Sequence, residues 1–153
     1  MEQLFKNIKD FILTTVNDVL PNFEDETVKL PKITDKQIVF GVIDGLKNQQ
    51  DVVVSVLPES QEEAEEQFLC GVTMTNNFTV TFAFRGEKYD VLVKRMCRYV
   101  SAFKKALFLE PKLNNTVNDT ELGIIKFYSD CGTVEKTMTA AEIDLNIYTI
   151  SEE

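Results

Sequence analysis

Phe78-Thr79-Val80-Thr81-Phe82-Ala83-Phe84 alternates large apolar residues with small or polar ones, as a strand with one buried face does. Successive side chains of a strand point to opposite faces, so Phe78, Val80, Phe82 and Phe84 form one apolar face, and Thr79, Thr81 and Ala83 form the other. A face this rich in large side chains has to be covered. The residues on either side supply the cover and the rest of the sheet.

Downstream, Arg85-Gly86 breaks the strand. Tyr89, Leu92, Val93, Met96, Val100, Phe103 and Leu107 then recur at helical spacing, which predicts an amphipathic helix over 88–109 that ends before Pro111. This central helix is expected to pack its stripe on the phenylalanine face. Residues 111–120, with Asn114-Asn115 and Asn118-Asp119, read as a loop. Ile124–Tyr128 reads as a strand, and the alternation of Ile143, Leu145 and Ile147 with Glu142, Asp144 and Asn146 predicts a last, half-buried strand that pairs with it as a hairpin.

Upstream, Leu4, Phe5, Ile8, Phe11, Ile12, Val16, Val19 and Leu20 fall on one side of a helix, with Lys6, Asn7, Asp10, Thr14, Asn17 and Asp18 on the other. Pro21 is expected to end it. Asn22–Lys36 lacks periodicity and holds Pro31, so it reads as a surface excursion for which mobility is expected. Ile38, Phe40 and Val42 alternate, Asn48-Gln49-Gln50 marks a turn, and Val52–Leu57 is a β-branched run closed by Pro58. Five of the eight residues from Glu59 to Glu66 are glutamate, a density that reads as a solvated hairpin tip. Phe68–Phe84 then reads as one long strand, or as a strand interrupted near Asn76-Asn77. These elements predict an α+β fold, an antiparallel, mixed-order sheet flanked by an N-terminal and a central helix, over a single domain spanning 1–153.

A chain of 153 residues suits one core. Eleven phenylalanines and no tryptophan predict a phenylalanine-based interior. The formal net charge of −9 argues against sequence-independent binding to nucleic acid, which needs a surplus of Lys and Arg. No segment approaches the roughly 20 apolar residues of a membrane-spanning helix, and Met1–Asp10 does not read as a signal peptide, so residence in a cytoplasm is expected. Cys70, Cys97 and Cys131 are odd in number and widely spaced, and are read as reduced packing residues.

The chain contains no histidine, which removes Ser-His, Cys-His and His-metal chemistry together. No phosphate-cradling glycine loop is present. Glu142 and Asp144 project from one strand face and, with another carboxylate, are the residues a small Mg²⁺-dependent enzyme would use. Polar residues on a solvated strand face give the same pattern. Neither a cofactor nor a metal site is expected, and no enzymatic turnover.

Lys94, Arg95, Arg98 and Lys105 cluster opposite the apolar stripe of the central helix. In so acidic a chain, that basic face and the hairpin glutamates Glu62, Glu63, Glu65 and Glu66 are candidates for two halves of a contact between identical subunits.

The order of an N-terminal helix, strands, an acidic hairpin, Asn76-Asn77-Phe78-Thr79-Val80-Thr81-Phe82, a helix through Val91-Leu92-Val93-Lys94-Arg95-Met96, and the closing pair Gly123–Tyr128 and Ala141–Tyr148 resembles the tail terminator or neck (head-tail joining) proteins of tailed bacteriophages. The resemblance covers nearly the whole chain and rests on element order rather than on fixed motifs. It implies a virion protein, assembled in the host cytoplasm, that forms a ring with itself, of hexameric type. Such a ring caps the tail tube, stops its polymerisation and gives the head connector a docking surface. The tail tube protein and the connector or neck proteins are the partners it implies, and a head-completion or connector protein is the neighbouring alternative.

Overall fold

The computed structural model describes residues 1–42, 51–63, 72–86, 88–129 and 137–151. Its centre is a five-stranded sheet of order β1-β2-β3-β5-β4, with β1 Ile38–Phe40, β2 Val52–Glu63, β3 Val72–Gly86, β4 Asp119–Tyr128 and β5 Thr137–Ser151. β1 runs parallel to β2, and every other pairing is antiparallel. The fold is α+β, with both main helices on one face of the sheet.

The phenylalanine face lies where its sequence put it. Phe78, Val80, Phe82 and Phe84 are fully buried, and Ile143, Leu145 and Ile147 of β5 extend the same surface. The central helix, Tyr89–Leu109, packs Leu92, Met96, Tyr99, Val100, Phe103 and Leu107 against it. Phe82 meets the Phe103 ring edge-on at 5.7 Å, a geometry suited to the aromatic quadrupole, and Phe103 in turn meets Phe11 of the N-terminal helix at 5.9 Å. Tyr89 is exposed, since it sits on the first turn of the helix, and Tyr99 takes a place on the buried stripe.

The N-terminal helix, Glu2–Phe11, continues through a π-helical turn, Ile12–Val16, and a last turn, Asn17–Val19, into a 3₁₀ turn, Leu20–Phe23. The α-helix thus ends at Val19, just before Pro21 as expected, and the missing N–H and fixed φ of Pro21 suit the first turn of the 3₁₀ segment that follows. Asn7 and Asn17, read as polar-face residues, are buried.

Asn17 explains the path of the next segment. Its Oδ1 accepts from the Ile33 N–H at 2.8 Å and its Nδ2 donates to the Ile33 carbonyl at 2.8 Å, so one side chain satisfies both backbone groups of a buried residue. Val28, Leu30 and Ile33 are buried in the core, the Tyr99 hydroxyl donates to the Pro31 carbonyl at 2.5 Å, and Glu24 accepts from the Leu30 N–H at 3.0 Å. The expected surface excursion is instead a strap tied down along the helices, with its apolar residues inward.

β2 does not end at Pro58 but runs on to Glu63, with a bulge between Pro58 and Ser60. β1 pairs only as far as Val56, so among the described residues no strand adjoins Pro58 on that side, and its missing donor costs little there. Residues 59–63 of the glutamate run are thus strand rather than tip, and 64–66 lie outside the described residues. β4 likewise begins at Asp119, inside the expected loop. Its own bulge, between Leu122 and Ile125, holds Gly123, where a Cβ would strike the Asp144 carboxylate.

Candidate assembly surfaces

The four cations assigned to the basic helix face do not form one free patch. Arg98 Nη2 lies 2.9 Å from Asp25 Oδ2, and its Nη1 donates to the Phe23 carbonyl at 3.2 Å, which clamps the strap to the helix. Arg95 is half-buried, and its Nε has no hydrogen-bond partner among the described residues. Burial pushes the neighbouring Tyr99 phenol well above its usual range, and Arg95 works in the opposite direction. Lys94 and Lys105 are exposed, as is Lys104, a lysine the sequence reading left aside.

The Arg98 guanidinium, with the Thr27 hydroxyl and backbone donors, holds the Asp25 carboxyl well below the usual carboxylate range. A depressed folded pKa contributes stability that is present above the unfolded value, near 4, and lost as pH falls through the folded one. The melting temperature of the parent should therefore converge on that of Asp25→Asn as pH is lowered from about 5 towards 2. Thermal melts of both proteins across that range are the check, and a constant gap would show that the pair contributes nothing through this proton.

Between the C-terminal half of the central helix and the start of β4 lies an open groove of about 590 Å³. Phe23, Leu107, Phe108, Pro111 and Leu122 supply apolar walls, and Lys104 and Lys105 stand at its rim. Phe108 is 78% exposed, and Lys105 Nζ lies 5.3 Å from its ring centre. Nothing in the helical period marks Phe108, because it falls one residue past the buried Leu107.

The acidic element projects at the far edge of the sheet. Glu62 and Glu63 are exposed at the end of β2, paired in register with Thr75 and Met74. Glu65 and Glu66 lie outside the described residues. The basic rim and the acidic strand end therefore occupy opposite edges of one sheet, separated by β3 and β5.

Glu142 and Asp144 share the helix-free face of β5, as alternate strand residues must. Each is already engaged: Glu142 accepts from the Tyr128 hydroxyl at 3.2 Å, and Asp144 accepts from Asn77 Nδ2 at 2.5 Å. The Glu142 charge pushes the Tyr128 phenol above its ordinary range. Among the described residues no three carboxylates or cysteines converge as metal ligands would. Cys97, read as a packing residue, is exposed, while Cys70 and Cys131 lie outside the described residues. No helix among the described residues is long and apolar enough to cross a membrane.

No protein-family model matches the chain, and no curated protein matches it.

Proposed function

We propose that this protein is a structural subunit that assembles with copies of itself into a ring, in the manner of the phage tail terminators its element order resembles. The observation that supports this most is the placement of a lysine-rimmed apolar groove and an acidic strand end on opposite edges of one sheet. Two different complementary patches make a heterologous contact, and such contacts close into rings when the rotation between subunits allows it. In this reading the ring sits at the neck of the virion. It caps the tail tube, ends its growth and offers a surface to the head connector, and it needs neither cofactor nor catalysis.

Exposed ion pairs contribute only about 0–1 kcal/mol each, so the charges set orientation and register while apolar contacts hold the ring. Lys104→Glu combined with Lys105→Glu should weaken self-association on the order of ten-fold at low salt. Adding Glu63→Lys, on the same side of the sheet as the two lysines, should restore part of the loss. Raised salt should slow assembly of the parent more than it dissolves completed rings, because screening acts most on separated, solvated charges. Electron microscopy of the purified protein, alone and mixed with tail tubes, tests the reading directly. Rings seated on tube ends are expected, whereas tubes that stay uncapped, or rings that bind only connectors, would contradict the terminator role.

A further inference from the structure

The two outer strands carry exposed apolar surface, although the half-exposed Phe40 already packs on Phe5 at 4.5 Å. β4 pairs with β5 and β1 pairs with β2, and among the described residues no strand adjoins the other edge of either. On β4, Ile124 is 70% exposed and Phe127 51%; just past β1, Val42 is 83% exposed, beside an exposed Phe40. Exposed apolar edges are templates for pairing unless charge, proline or a covering element blocks them.

The sheet registers say how two such edges would meet. β1 runs with β2, while β3, β5 and β4 alternate, so β1 and β4 run in opposite directions. A second copy set beside the first with the same face forward would bring its β1 antiparallel to β4. Ile38 is level with Phe127 through Val54, Phe82 and Ala141, and Phe40 is level with Ile125 through Val56, Val80 and Ile143. The apolar half of one edge thus lies at the height of the apolar half of the other. Below it, the end of β2 that projects past β1 is level with Asp119–Leu122, where the groove and its lysines begin. Glu63 shares the helix-side face with Met74, the side on which Lys104 and Lys105 stand. On the outer face Glu62 comes level with Asp119, a like-charge pair that the apolar edge must outweigh.

We infer that β1 of one copy adds to β4 of the next as an antiparallel continuation of the sheet, and that the projecting acidic end of β2 reaches the lysine-rimmed groove. This rests on the self-assembly reading above and gives it a geometry: a continuous sheet passing from subunit to subunit, joined through two unlike edges.

Edge-blocked copies test it. Ile124→Lys with Phe127→Lys charges the β4 edge, and Val42→Lys charges the β1 edge. Each protein alone should lose the assembled species and sediment as the 17.5 kDa monomer, with a melting temperature close to that of the parent. Mixed in equal amounts, they should form a one-to-one dimer and nothing larger, because one open edge of each kind remains. Parent-like assembly by either variant, or no dimer on mixing two folded variants, would overturn the edge pairing. A parent that assembles beside such a result would keep the ring reading and lose only this geometry; a parent that stays monomeric would remove both.

Discussion

Phe82→Ala is expected to cost about 3–5 kcal/mol and to lower the melting temperature on the order of 10 °C. Phe82 has no exposed surface and lies mid-way along β3, with Phe103 edge-on at 5.7 Å and Tyr99 at 6.3 Å. Removing the ring forfeits its transfer free energy and leaves a cavity between two rigid layers, a sheet and a helix, that cannot collapse locally. Phe82→Leu, which keeps most of the volume, should recover more than half of the loss. Denaturant titration of the three proteins decides the matter. A Phe82→Ala protein with the parent's midpoint would mean that the helix does not seal this face.

Asn17→Ala should be nearly as damaging, at roughly 2–4 kcal/mol, although it removes no large apolar group. The substitution strands both the N–H and the carbonyl of buried Ile33, which Asn17 holds at 2.8 Å each. Unsatisfied buried backbone groups carry their full desolvation cost. Asn17→Asp separates the two bonds: its carboxylate can still accept from the Ile33 N–H but would face the Ile33 carbonyl with no proton to offer. That protein should be destabilised at neutral pH and recover part of the loss near pH 4, where a protonated carboxyl donates again. Equal stability of parent and Asn17→Ala would show that water replaces the amide.

Periodicity accounts for what could be read in advance. Alternation at Phe78–Phe84 and at Ile143–Ile147, and the helical stripe from Leu92 to Leu107, are local signatures of burial, and the structure follows them. Contacts between distant residues leave no such mark. Arg98 is drawn out of the basic face by Asp25, 73 residues away in sequence, and Asn17 looks polar and solvated until Ile33 is placed against it. Pro58 suggests the end of a strand, because the edge position that makes it harmless depends on how short β1 is. The parallel pairing of β1 with β2 has no local signal either. Of the candidate surface, Lys105 and the glutamates stood out through charge density, whereas Lys104 and Phe108 gained meaning only when β4 was seen to lie beside them.

If unlike edges of this sheet join copies of the chain, as we propose, the weight-average mass of the unmodified protein will depend on its concentration. Sedimentation equilibrium at low salt should show mass rising from the 17.5 kDa monomer to a closed assembly of fixed size, with no further growth at higher concentration. A mass that stays at the monomer value up to millimolar concentration would show that these edges do not join copies of the chain.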